Sequence, residues 1–347
     1  MSSTYLSFVV TTRNDNHGGD LLKRTQTFLS GLITQTNKYK LNSELIIVEW
    51  NPPRDRPRLK DVLRIENNKF LEIRFIEVPN EIHQQYKYAD TIPLFQMIAK
   101  NVGIRRAKGE FVLCTNIDIL FSDELMDRIA NNKLIKGHFY RCNRCDVPKE
   151  VMDFDTLEEQ LIFSKKNIIQ RHGRNPKFIN ITTDLPLWTF HIPFVALTLD
   201  FFAKWIKKII WKKEVQILNQ LDFMACGDFT LMSKQDWLDI DGYVEIDLYS
   251  LHVDSMALVS AKALGKNQVV FKKSECTYHI YHKDGWSGFD NPLDMIKFLI
   301  KRPSIDWYSI GHSAEYLIRK KTNWEINSKN WGFFKQNLKE DLVKAIK

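Results

Sequence analysis

The segment FVLCTNIDILFS, residues 111–122, decides the fold. It opens as a short apolar run of strand character and stops at Asn116-Ile117-Asp118, so a buried strand delivers a carboxylate to its carboxyl end. Strand ends of open α/β sheets are where ligands bind. A lone Asp in that position also serves as a helix cap or a turn residue. The surrounding sequence has to separate the two roles.

Working outward, apolar strands alternate with amphipathic helices. Residues 5–12 (YLSFVVTT), 43–50 (SELIIVEW), 71–79 (LEIRFIEVP) and 110–116 (EFVLCTN) read as strands. After the polar loop RNDNHGGD, helical spacing of Leu21, Leu22, Thr25, Phe28, Leu29, Leu32 and Ile33 predicts a helix with Asp20 as its N-cap. Leu94, Phe95, Ile98 and Val102 predict another, closed by Gly109. This alternation implies an α/β fold, a mostly parallel sheet with helices on both faces. Past residue 150 the alternation fades. Residues 138–147 (HFYRCNRCDV) and 268–282 (QVVFKKSECTYHIYH) read as extended, and the segment ending at Gly265 reads as a helix. No repeat or low-complexity linker interrupts the chain. The simplest partition is one domain over 1–290, split into halves 1–130 and 131–290, with a basic helical extension over 291–347.

Composition narrows the function classes. The 347 residues carry 50 Lys+Arg against 42 Asp+Glu, a net charge of +8, with 44% hydrophobic and 27% charged residues. The basic residues are scattered and lack an aromatic stacking platform, which disfavours nucleic-acid binding. Neither G-x-G-x-x-G nor G-x-x-x-x-G-K-[ST] occurs, which argues against a dinucleotide-binding domain or a P-loop ATPase. The start, MSSTYLSFVV, lacks a basic and apolar leader, so no secretory signal is expected. Five cysteines, with one C-x-x-C at Cys142 and Cys145 and no second pair, fit reduced thiols better than a zinc site or a disulfide framework. The expected location is the cytoplasm, with peripheral attachment at the inner face of a membrane. Residues 200–215 (DFFAKWIKKIIWKKEV) motivate that attachment, because two tryptophans among lysines suit a helix on an anionic surface as well as a packed one.

Polar groups collect at several strand ends: Thr11 near the end of the first with Arg13, Asn14 and Asp15 after it, Glu49 at the end of the second, and Asn116, Ile117 and Asp118 after the fourth. Asn101 and Arg105 lie four apart on one helix and so side by side. Such a cluster suits a nucleotide, with carboxylates for base and ribose and an acid for a divalent ion on the diphosphate.

These residues carry a family resemblance. LFQMIAKNVGIRRAKGEFVLCTNIDILFSDELMDRI resembles the core of GT-A glycosyltransferases of the family-2 kind, where an A-x-N-x-G-x-x-x-A-x-G helix leads into a strand ending in a D-x-D metal motif. Ala99, Asn101, Gly103, Ala107 and Gly109 match that pattern, and Asn116-Ile117-Asp118 stands in the D-x-D place. Residues 8–32 resemble the family's first strand, loop and helix, and residues 44–50 its second strand, with Glu49 where an Asp is usual. ACGDFTLMSKQDWLDIDGY resembles its acceptor-side segment. The resemblance covers roughly residues 5–130 and 225–285. It implies a GT-A, Rossmann-like fold and transfer of a sugar from a nucleotide-diphosphate donor, most simply a UDP-sugar, to a glycan or lipid-linked acceptor. It places an acidic catalytic base at Asp254, acceptor contacts at Asp228 and Trp286, and a C-terminal histidine ligand at His279 or His282. Asp254 as a helix cap and Asp228 as a structural residue remain the alternatives.

His279 and His282 are three apart, so on one continuous strand they would face opposite sides and only one would reach a metal with Asp118. Asn116 departs from the first acid of D-x-D. An amide can hold a ribose hydroxyl but lends less charge to Mn²⁺ or Mg²⁺, which leaves a metal-independent enzyme as an alternative. A second class, a catalytically silent nucleotide-sugar or glycan-binding protein of the same fold, rests on the same departure. A nucleotidyltransferase is disfavoured by the lack of a Gly-rich, basic loop after the first strand.

Overall fold

In the computed structural model the described residues are 4–65, 68–131, 133–173, 220–282, 297, 302–305 and 307–343. Their strands are β1 (Leu6–Thr12), β2 (Ser43–Trp50), β3 (Leu71–Val78), β4 (Phe111–Thr115), β5 (Ile119–Phe121), β6 (His138–Arg141), β7 (Arg144–Val147), β8 (Gln170–His172), β9 (Phe229–Ser233), β10 (Asn267–Val270), β11 (Thr277–Ile280) and β12 (Lys339–Val343). The helices are α1 (Leu21–Lys38), α2 (Leu59–Val62), α3 (Asn80–His83), α4 (Gln96–Arg106), α5 (Asp123–Ala130), α6 (Leu157–Lys166), α7 (Lys234–Asp239), α8 (Val253–Ala263) and α9 (Trp307–Lys320).

The chain is α/β with a large mixed sheet in the order β10-β6-β9-β4-β1-β2-β3-β12. The run β3-β2-β1-β4 is parallel throughout, as its apolar composition predicts. Antiparallel β9 and β12 make the whole sheet mixed rather than mostly parallel. Alternate side chains of the central strands supply two cores. Val9, Ile46, Val48 and Ile76 pack under α4 and α8. Phe8, Val10, Leu45, Ile47 and Phe75 pack under α1 and α5. Burial of both faces is what the near-continuous apolar strands require. Successive strands step one way from β1 to β3 and the other way to β4, so the β1/β4 junction is the switch point, where open sheets of this kind form a crevice at their carboxyl ends.

A second sheet, β5-β11-β7-β8, stands beside that crevice. It splits two segments that the sequence suggests are continuous. Residues 138–147 cross from β6 in the large sheet to β7 in the small one, and residues 267–280 cross from β10 to β11 through a turn closed by Lys272 and Glu275. Cys142 and Cys145 therefore enter different cores. All five cysteines are free and buried.

Local signals differ from expectation at two points. Asp20 does occupy the position before α1, but in a left-handed conformation and without capping through its side chain; the Asn16 amide oxygen accepts from Leu21 N instead, at 3.3 Å. Gly109 does not end α4, whose last residue is Arg106. A Cβ at Gly109 would lie 2.5 Å from the Ser7 backbone nitrogen, so the glycine permits close approach of two chain segments.

The described part of the tail packs against the rest of the fold. α9 packs Ile310, Ala314 and Leu317 against Val259 and Ala263 of α8. β12 pairs antiparallel with β3, and Glu340 on it accepts from Arg74 Nη2 at 2.8 Å. Among the described residues, no helix is long and apolar enough to cross a membrane. The basic stretch 200–215 lies outside the described residues.

Candidate metal centre

β4 ends at Thr115, and the chain turns through Asn116-Ile117-Asp118 into β5. Asp118 thus sits where the large sheet hands over to the small one, its backbone oxygen accepting from Ile280 N at 2.9 Å. Because β11 stops at Ile280, the two-residue alternation stops with it, and both His279 and His282 turn toward Asp118. Their Nε2 atoms lie 3.7 Å and 3.2 Å from Asp118 Oδ2. One ligand atom from each of the three residues falls within 4.8 Å of the others, so the group can hold a metal ion. Two imidazoles and a carboxylate suit borderline and harder divalent ions. Asp118 Oδ1, His279 Nδ1 and His282 Nδ1 are buried without a hydrogen-bond partner among the described residues, and a bound cation would satisfy the carboxylate.

Arg24, on the inward face of α1, is the neighbour that the sequence did not reveal. Its Nη1 donates to Asp118 Oδ2 at 3.0 Å, and both partners are nearly excluded from solvent. The rest of its guanidinium is held by the carbonyls of Gly19 and His17. Burial alone would push Asp118 up, but His279, His282 and Arg24 outweigh it and hold the carboxyl well below the usual range. The HGGD loop closes the other side. A Cβ at Gly18 would fall 2.5 Å from His282 Nδ1, and Gly18 has φ +72°, so only glycine fits there.

A second buried carboxylate supports the first. Asp146 on β7 lies across from His279 on β11, and its Oδ1 is 3.2 Å from His279 Nδ1. Arg144 Nε donates to the same oxygen at 2.6 Å, and His172 Nε2 lies 2.8 Å from the other. Arg144 also donates to Asp228 Oδ2 at 2.8 Å, while Asp228 Oδ1 accepts from Asn116 Nδ2 at 2.5 Å. Asn116 Oδ1 accepts from Gln96 and from the fully buried Lys100. Burial pulls the Lys100 ammonium down, and its Nζ also donates to Gly227 O at 2.6 Å. Beyond Gly227 comes Asp254, whose Oδ2 would lie 3.0 Å from a Cβ at that glycine. Asp254 stands in the first turn of α8 with Oδ1 accepting from its neighbour, Ser255 N. A run of polar contacts thus lines the carboxyl ends from Asp118 to the neighbourhood of Asp254.

The remaining expected site residues divide by position. Thr11 is next to last in β1, and Arg13, Asn14 and Asp15 follow the strand; Arg13 pairs with Asp15 and Asn14 donates to Pro57 O. Glu49, next to last in β2, accepts from Leu59 N and is pushed up by burial. Ile117 packs into the core beneath α1. Asn101 does not reach the crevice: its amide is used up by Tyr243 and Glu245. Arg105 lies at the far end of α4, near the amino ends of the strands, stacked against Trp331 and Phe334 at 4.5 and 4.3 Å. Both therefore hold the α4 face together rather than a nucleotide. Asp228 spends both oxygens on Asn116 and Arg144, which favours its structural role over acceptor binding. Trp286 lies outside the described residues.

No family model matches the chain, and a search of curated proteins finds no match.

Proposed function

We propose that the protein is a glycosyltransferase of the GT-A kind, moving a sugar from a nucleotide-diphosphate donor, a UDP-sugar in the simplest case, to a hydroxyl of a glycan or lipid-linked acceptor with inversion. The observation that carries this reading is the convergence of Asp118, His279 and His282 beside the β1/β4 switch point. Asp118, His279 and His282 would hold Mn²⁺ or Mg²⁺, which supplies positive charge to a departing diphosphate. Arg24 keeps Asp118 ionised and fixes its orientation. The loop after β1, with Arg13 and Asp15, faces the same crevice and suits the nucleoside. Asp254 takes the proton from the acceptor hydroxyl as the sugar carbon is attacked, a role typically worth about 10²–10⁴-fold in rate. Peripheral attachment to a membrane carrying such acceptors belongs to the same reading.

A second reading keeps the site without the chemistry. Arg24 already offsets the Asp118 charge at 3.0 Å, and Asn116 is committed to Asp228, which favours a protein that binds a nucleotide-sugar or glycan and does not turn it over.

Turnover separates them. Radiolabelled UDP-, GDP- and dTDP-sugars are incubated with the protein and Mn²⁺, and free or transferred sugar is counted. Asp254→Asn should bind donor as before and lose about 10²–10⁴-fold in turnover. Donor binding with no turnover of any sugar selects the binding protein. An active Asp254→Asn places the base elsewhere.

A further inference from the structure

We infer that Asp146 is a positioning residue for the metal centre, acting through His279 by fixing the tautomer and tilt of its ring. The inference rests on the reading of Asp118, His279 and His282 as metal ligands. Parallel pairing puts His279 directly beside Asp146, so their side chains leave the small sheet on one face. Asp146 is 1% exposed, and its position is fixed independently of His279 by Arg144 Nε at 2.6 Å and His172 at 2.8 Å. An ionised carboxylate only accepts, so once a cation occupies Nε2 the remaining proton of His279 belongs on Nδ1, 3.2 Å from Asp146 Oδ1. Nε2, on the other side of the ring, lies 3.7 Å from Asp118 Oδ2, the side on which the shared cation would be held. Histidines that bind metals generally donate their other N–H to such a partner, and loss of it typically costs about 10–100-fold in metal affinity.

Asp146→Asn tests this with the metal alone. The amide keeps the shape and can still accept from Arg144, but it can donate to Nδ1 and so favour the tautomer whose Nε2 carries the proton and cannot ligate. Mn²⁺ binding, followed by the loss of the free-ion resonance, should weaken about 10–100-fold. In a His279→Ala background the same substitution should change nothing further. Wild-type protein loaded with diamagnetic Zn²⁺, which needs no variant to fold, should show Nδ1–H at His279 in its imidazole ¹⁵N shifts. Undiminished Mn²⁺ binding by Asp146→Asn, an equal loss in the His279→Ala background, or an Nε2–H tautomer overturns the role of Asp146 while leaving the metal centre standing. A wild type that binds neither Mn²⁺, Co²⁺ nor Zn²⁺ overturns both.

Discussion

Replacing Arg24 with Met keeps the volume and removes the charge that faces Asp118. The guanidinium is 3% exposed and donates to Asp118 Oδ2 at 3.0 Å and to Gly19 O from Nε and Nη2. Removing one partner of a buried pair typically costs about 3–5 kcal/mol, because the other charge stays buried. Here His279 and His282 still face Asp118, which sets the expectation at the lower end, about 3 kcal/mol. At roughly 2–4 °C per kcal/mol for a large domain, metal-free protein should melt about 6–12 °C lower. The vacated site is more negative, so a divalent ion should bind it more tightly. Mn²⁺ at about a hundredfold over its dissociation constant stabilises a protein by about 2.7 kcal/mol, and the gain should be larger in the variant than in the wild type. Calorimetric scans of both proteins with EDTA and with Mn²⁺ read this directly. An unchanged melting temperature, or a smaller Mn²⁺ shift in the variant, refutes the argument that Arg24 and a metal share the Asp118 charge.

Two other outcomes follow from the same cluster. Asp118 and Asp146 are both held below the ordinary carboxylate range, so the folded protein binds fewer protons there than the unfolded chain. Their stabilisation is present above about pH 4 and is lost as the pH falls further, so Asp118→Asn and Asp146→Asn should flatten the acid limb of a urea-midpoint profile. Asn116→Asp would set a carboxylate oxygen against Asp228 Oδ1, where the amide now donates at 2.5 Å. It should cost about 1–3 kcal/mol in urea unfolding at neutral pH. A variant as stable as the wild type would show that Asn116 is not tied to Asp228.

The first half of the fold was legible because local signals and global topology agree there. Runs such as LIIV and FVV in β2 and β1 are apolar at every position, which only a doubly covered parallel sheet accommodates. Asp118 was legible for the same reason: its strand ends visibly at a polar residue. The small sheet was not, since β5, β7 and β11 are three or four residues each and pair with distant partners that carry no local mark. That hid Asp146, which looks like one polar residue in an extended segment. It also hid the reason both histidines reach Asp118, namely where β11 stops. Arg24 resembled any basic residue on an amphipathic helix. Asn101 and Arg105 misled in the opposite direction: helical spacing put them side by side but could not say which end of α4 lies over the crevice.

The central claim is that Asp118, His279 and His282 hold a divalent ion that a nucleoside diphosphate shares. Titration calorimetry of UDP into the protein, with and without Mn²⁺, tests it most directly. Tighter UDP binding with Mn²⁺ in the wild type, and no such gain in Asp118→Ala, is the result the geometry predicts. UDP affinity that ignores Mn²⁺ in the wild type, or a metal-dependent gain that survives in Asp118→Ala, contradicts it.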